Sequence, residues 1–166
     1  MVALDFAPAQ RRSRRRCRYQ SQGSWQTLAE GLAEYYAANR GRGATPDELS
    51  PEAAALIRSH DICHVIFGLD TTPADEAIAD IRALLCCDVG WKRFSVYLAA
   101  EATAKAVLKS PGHAKGLANT LVATPRAIRA LMQSWRMRKR WPWNPPEDFL
   151  ERQLSELRED YRIEVI

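Results

Sequence analysis

Ser50-Pro51-Glu52, running on through His60-Asp61-Ile62-Cys63-His64 to Gly68, is the stretch on which the fold turns. Ser50 suits an N-cap and Pro51 a first helical position, and no breaker intervenes before Gly68, so the spacing predicts one helix to about Phe67. Residues on a helix advance by about 100° each, which stands His60 and His64 one above the other and projects Asp61 from the adjoining edge of the same face. Leu69-Asp70-Thr71-Thr72-Pro73 then ends the pattern. Thr72 is placed to cap a new helix with Pro73 at its first position, and Glu76 falls in the first turn, facing back.

His60, Asp61, His64 and Glu76 are therefore candidate ligands of one ion, held between the second and third helices. Two imidazoles and two carboxylates form a nitrogen and oxygen set that suits zinc, with iron and manganese chemically plausible. A remaining open position would make such a site catalytic through its metal. Two familiar readings fail on spacing. A metalloprotease helix needs His-Glu-x-x-His with the Glu activating water, and Asp61 is one methylene shorter. Metal-dependent phosphohydrolases with a His-Asp pair need a further His upstream, and no His precedes His60.

These residues resemble the coenzyme Q (ubiquinone) biosynthesis protein 4 family, whose hallmark is His-Asp-x-x-His followed by eleven residues and a Glu. His60, Asp61, His64 and Glu76 fit that pattern without a gap. Ser50-Pro51-Glu52, Gly68 and the tail from Trp141-Pro142-Trp143 through Leu154, Leu157, Arg158 and Ile163 extend the likeness over residues 24 to 166. Asp75 departs from it, standing where the family favours Gly, and the longer N-terminal region of the mitochondrial members is lacking. The resemblance implies a metal-dependent lyase acting on a polyprenylated hydroxybenzoate, replacing the ring carboxylate with hydroxyl in an oxygen-dependent decarboxylation. It equally implies a different role, a non-catalytic scaffold that binds a prenyl lipid and organises other ubiquinone biosynthesis enzymes. A hydrolase or lyase acting on another prenylated compound is a third.

The composition agrees with one all-α domain. The 166 residues are 46% apolar, enough for a sizeable core; Ala and Leu abound, and alternating β-branched runs are hard to find. Punctuation predicts a bundle of about six helices. The first is capped by Ser24 and ends at Arg40 before Gly41; the third runs from Pro73 to about Cys87; a fourth spans 91–109. A further apolar segment leads to Thr124-Pro125, and the last helix begins near Asn144-Pro145, with Leu150, Leu154, Leu157 and Tyr161 forming one stripe. Phe94, Val96, Tyr97, Leu98, Val107, Leu121, Ile128, Leu131 and Met132 could line an apolar slot between helices, although most such residues serve core packing. His113, after Pro111 and Gly112, reads as a surface residue.

The charge belongs to one end. Residues 1–20 carry six Arg against Asp5 alone, a net +5, which leaves −1 of the total +4 to the rest. The expectation is a flexible basic arm over 1–22 and a helical domain over 23–166, the arm either solvated or lying on an anionic membrane surface. No nucleic-acid-reading motif accompanies it. The twin Arg is followed by polar residues from Tyr19 to Trp25, where an export signal needs an apolar core. Trp135, Trp141 and Trp143 interleave with Arg136, Arg138, Lys139 and Arg140, a mixture that suits either a membrane interface or a packed core beside a solvated basic turn. Cys17, Cys63, Cys86 and Cys87 show no paired spacing, which fits a reducing cytoplasm, with peripheral contact at the inner face of the cell membrane. Cys63 is turned about 100° from the ligand face and reads as a core thiol. A homo-oligomer is compatible with all of this.

Overall fold

The computed structural model of the chain describes residues 16–39, 50–90 and 125–165. The fold is all-α. Among the described residues there are five α-helices, α1 (Leu28–Ala38), α2 (Pro51–Phe67), α3 (Pro73–Cys86), α4 (Pro125–Ser134) and α5 (Leu154–Tyr161), with short 3-10 turns at Arg18–Gln20 and Glu147–Glu151. Extended pairing is confined there to two isolated bridges, Thr27 with Gln153 and Cys87 with Trp141.

The two helices that carry the motif begin as their sequences require. Ser50 Oγ accepts from Ala53 N, Thr72 Oγ1 accepts from Asp75 N, and both helices place Pro at the start. Gly68 ends α2 in the left-handed region, at φ 70°. An added Cβ there would also meet Val165 Cγ1 at 2.5 Å, so both conformation and space demand glycine. The link from Gly68 to Thr72 folds α3 back along α2 as an antiparallel hairpin.

Two boundaries differ from expectation, for one physical reason. α1 starts at Leu28, not after Ser24, because Thr27 and Glu30 form a reciprocal capping box. Ser24 and Gln26 are spent elsewhere, their carbonyls accepting from Ser155 N at 3.0 Å and Leu154 N at 2.8 Å. In return Leu28 N donates to Arg152 O at 3.0 Å. The same exchange interrupts the expected last helix at Arg152 and Gln153, leaving Leu150 in the 3-10 turn and Leu154, Leu157 and Tyr161 buried on α5. The end of α1 at Arg40 and Gly41, the fourth helix over 91–109, the slot residues Phe94 to Leu121, and His113 lie outside the described residues.

The packed body begins before the expected boundary at residue 23. Tyr19 is wholly buried and its hydroxyl donates to Leu69 O at 3.0 Å. Trp141 and Trp143 are 0% and 1% exposed, which corrects the membrane-interface reading for these two. The Trp141 ring lies 5.0 Å from that of Tyr161 and 5.6 Å from that of Phe149. Cys63, Cys86 and Cys87 are buried as expected, with Cys63 Sγ 3.6 Å from Cys87 Sγ.

Arg158 ties the ends of the body together. Its buried guanidinium donates to the carbonyls of Tyr19 and Ser21 at 2.6 Å, of Val65 and Ile66 at 2.9 Å, and of Gln22 at 3.4 Å. Burial pushes its pKa down to about 10, which still leaves it charged at neutral pH. Two of its acceptors belong to the last turn of α2, where the helix dipole favours a cation.

On α4 the buried face is Ala127, Ala130 and Gln133, turned inward, while Ile128, Leu131 and Met132 are exposed, as is Trp135 just beyond the helix at 77%. The expected lining residues on this helix therefore face outward. No described helix is long and apolar enough to cross a membrane.

Candidate metal centre

His60 and His64 lie on the face of α2 that meets α3, and both are buried. Their rings meet edge to face at 4.8 Å between centroids. Across the hairpin, Glu76 Oε2 approaches His64 Nε2 to 3.4 Å. One turn along, Asp80 Oδ1 approaches His60 Nε2 to 3.4 Å. Nitrogen and oxygen atoms of His60, His64 and Glu76 all lie within 4.8 Å of one another, a group able to hold a metal ion.

The separations decide what these groups are suited to do. A good N–H···O bond spans about 2.7–3.2 Å, and 3.4 Å is longer. Two donors each about 2.0–2.1 Å from one zinc, at a tetrahedral angle, stand about 3.3–3.4 Å apart. Both nitrogens of His64 are buried without a hydrogen-bond partner, and so is Asp80 Oδ1. Buried polar atoms left in this way are costly, and a cation shared among them removes the cost. The donor set fits a divalent metal on this ground.

Asp61 does not join the group. It follows His60 by one residue, and the turn of about 100° carries it toward α1. There the Tyr35 hydroxyl donates to Asp61 Oδ1 at 3.2 Å, and Tyr36 also bonds to the carboxylate. Burial raises the Asp61 pKa even though His60, His64 and the two hydroxyls pull it down. Of the four residues expected to converge, His60, His64 and Glu76 do so, and Asp61 faces a tyrosine pair.

Tyr35 also stacks on His64, 5.4 Å between centroids at an interplanar angle of 29°, and so fixes the plane of that imidazole. Burial lifts the Tyr35 pKa far above the ordinary phenol value, with Asp61 and Glu76 adding to it, which keeps the hydroxyl a donor. Burial resists a charge on His64, but Glu76, with Asp61 and Asp80 behind it, raises its pKa on balance.

Asp75, next to Glu76 in the chain, faces another way. It is buried, its Oδ1 pairs with Arg126 Nη2 at 2.7 Å, and its Oδ2 accepts from Asp70 N at 3.2 Å. It fastens α4 and the hairpin link to α3 and makes no approach to the histidines. Asp80 escaped the sequence reading, although its spacing of four from Glu76 repeats that of His60 and His64. Tyr35 carried no local signal, since only folding brings α1 beside the motif.

A surface groove lined by Arg18, Trp25, Gln26, Glu30, Ala33 and Glu34 opens on α1 and includes none of the site residues. No protein-family model, curated protein or solved structure matches the chain.

Proposed function

We propose that the chain is a metal-dependent ubiquinone biosynthesis protein that oxidatively decarboxylates a polyprenylated hydroxybenzoate. The observation that carries the reading is the convergence of His60, His64 and Glu76 across the α2–α3 hairpin. It joins the resemblance of His60, Asp61, His64 and Glu76 to the coenzyme Q biosynthesis protein 4 family. His60, His64 and Glu76 would hold the ion, with zinc the best fit to the donors and iron or manganese compatible. A bound divalent ion supplies electrostatic stabilisation of a ring carboxylate or phenolate oxygen. The chain's own residues do the rest by position: Tyr35 stacks on His64 and fixes its plane, and burial shields the two imidazoles.

Purified protein should contain close to one equivalent of metal by elemental analysis and release carbon dioxide from a prenylated hydroxybenzoate under air. His64→Ala should remove both. Turnover by metal-free protein refutes the reading.

A second reading is a prenyl-lipid-binding scaffold for the other enzymes of the pathway. It is favoured by the exposed residues Ile128, Leu131 and Met132 on α4 and Trp135 just after it, an apolar surface with Arg129 and Arg136 beside it. In that reading the metal is structural, and the protein sits at the inner face of the cytoplasmic membrane. A lipid recovered by mass spectrometry together with metal but without turnover supports the scaffold.

A further inference from the structure

We propose that Asp80 is the fourth donor of the cation site, in the place that the linear motif gives to Asp61. The inference rests on the reading of this hairpin as a metal centre and adds a ligand to it. Its basis is a repeat in the geometry. The antiparallel hairpin sets a pair of histidines four apart on α2 against a pair of acids four apart on α3. His64 faces Glu76 and His60 faces Asp80, and each nitrogen to oxygen separation is 3.4 Å. The two rungs are equal in length, and both have the spacing of donors that share a tetrahedral ion better than that of a hydrogen bond.

Burial makes the same point. Asp80 Oδ1 is closed off from solvent and accepts no hydrogen bond. A carboxylate oxygen is rarely left so without a donor or a cation. The group within 4.8 Å holds neither Asp80 nor Asp61, but Asp80 reaches it through His60, whereas Asp61 already accepts the Tyr35 hydroxyl. Two neutral imidazoles with the carboxylates of Glu76 and Asp80 balance the charge of a divalent ion, so Asp80 completes the site electrically as well as in number. Asp61 becomes a positioning residue that holds Tyr35 against the ring of His64.

Cobalt(II) in place of the native metal reports the ligands directly. Asp80→Cys, loaded with cobalt, should show a near-ultraviolet thiolate-to-cobalt charge-transfer band that the wild type and Asp61→Cys lack. The near-isosteric Asp80→Asn, which spares the packing, should bind cobalt more weakly by more than the roughly 10–100-fold typical of losing an outer partner. A band in Asp61→Cys, or wild-type affinity in Asp80→Asn, overturns the assignment. Failure of the wild type to take up cobalt or zinc at all overturns instead the metal reading beneath it.

Discussion

Single side chains set the energetics of this protein at two places, His64 and Arg158. His64 has both ring nitrogens buried without hydrogen bonds, so metal binding to the native state is folding free energy. Zinc at about 100 times its dissociation constant stabilises by roughly 2.7 kcal/mol, and for a chain of this size that is a rise of about 5–10 °C in Tm. Calorimetry should show that rise in the wild type and its loss in His64→Ala. Arg158 poses a different problem. Five carbonyls from two distant segments point at one guanidinium, and removing it strands them in the interior. Arg158→Met should therefore cost at least about 3 kcal/mol, since methionine matches the stem and supplies no donor. Urea unfolding would measure it, and a loss under about 1 kcal/mol would mean that the carbonyls find other partners.

At the scale of the element, capping governs where helices start. Thr27→Ala removes the side-chain half of the capping box on α1, while the backbone N–H of residue 27 can still donate to Glu30, and should cost about 1 kcal/mol. Gly31 lets α1 approach α2: a Cβ there meets Val65 Cγ1 at 2.8 Å and Leu154 Cδ1 at 3.0 Å. Gly31→Ala should thus destabilise by about 1–3 kcal/mol despite the better helix propensity of Ala, and the sign of the change in denaturation midpoint tests it. Local signals of this kind were legible beforehand. Ser50-Pro51, Thr72-Pro73 and Gly68 placed α2 and α3 to within a residue, because each acts through its own backbone. The break before Leu154 was not, because it depends on hydrogen bonds between segments far apart in sequence; the start of α1 did carry a local signal, the capping box Thr27-Leu28-Ala29-Glu30, which the reading of Ser24 as the cap passed over. The site divides in the same way. His60, His64 and Glu76 could be read from helical phase, whereas the turning of Asp61 toward Tyr35 needed the position of α1.

At the scale of the whole molecule, four of the exposed large apolar residues among those described gather on α4 and just beyond it. Ile128, Met132 and Trp135 are 62%, 50% and 77% exposed, with Arg129 and Arg136 also exposed alongside. On the scaffold reading proposed above, this face would meet an anionic bilayer, the apolar residues answering acyl chains and the guanidiniums headgroups. Flotation with vesicles containing phosphatidylserine should carry the protein upward, and Ile128→Ser with Trp135→Ser should reduce the bound fraction several-fold. Equal flotation by the double variant removes α4 from the contact. A truncation made to remove the basic arm from such an assay must stop at residue 15, because cutting to residue 20 would take away the buried Tyr19. The cation donors all come from one short contiguous stretch, His60 to Asp80, while Arg158 must find Tyr19 across 139 positions of chain. Closing the short loop loses little entropy, and the long one reaches its partners only after the rest has gathered. Zinc should accordingly cross-link the hairpin while the chain is still assembling and quicken refolding, whereas loss of Arg158 should mainly hasten unraveling.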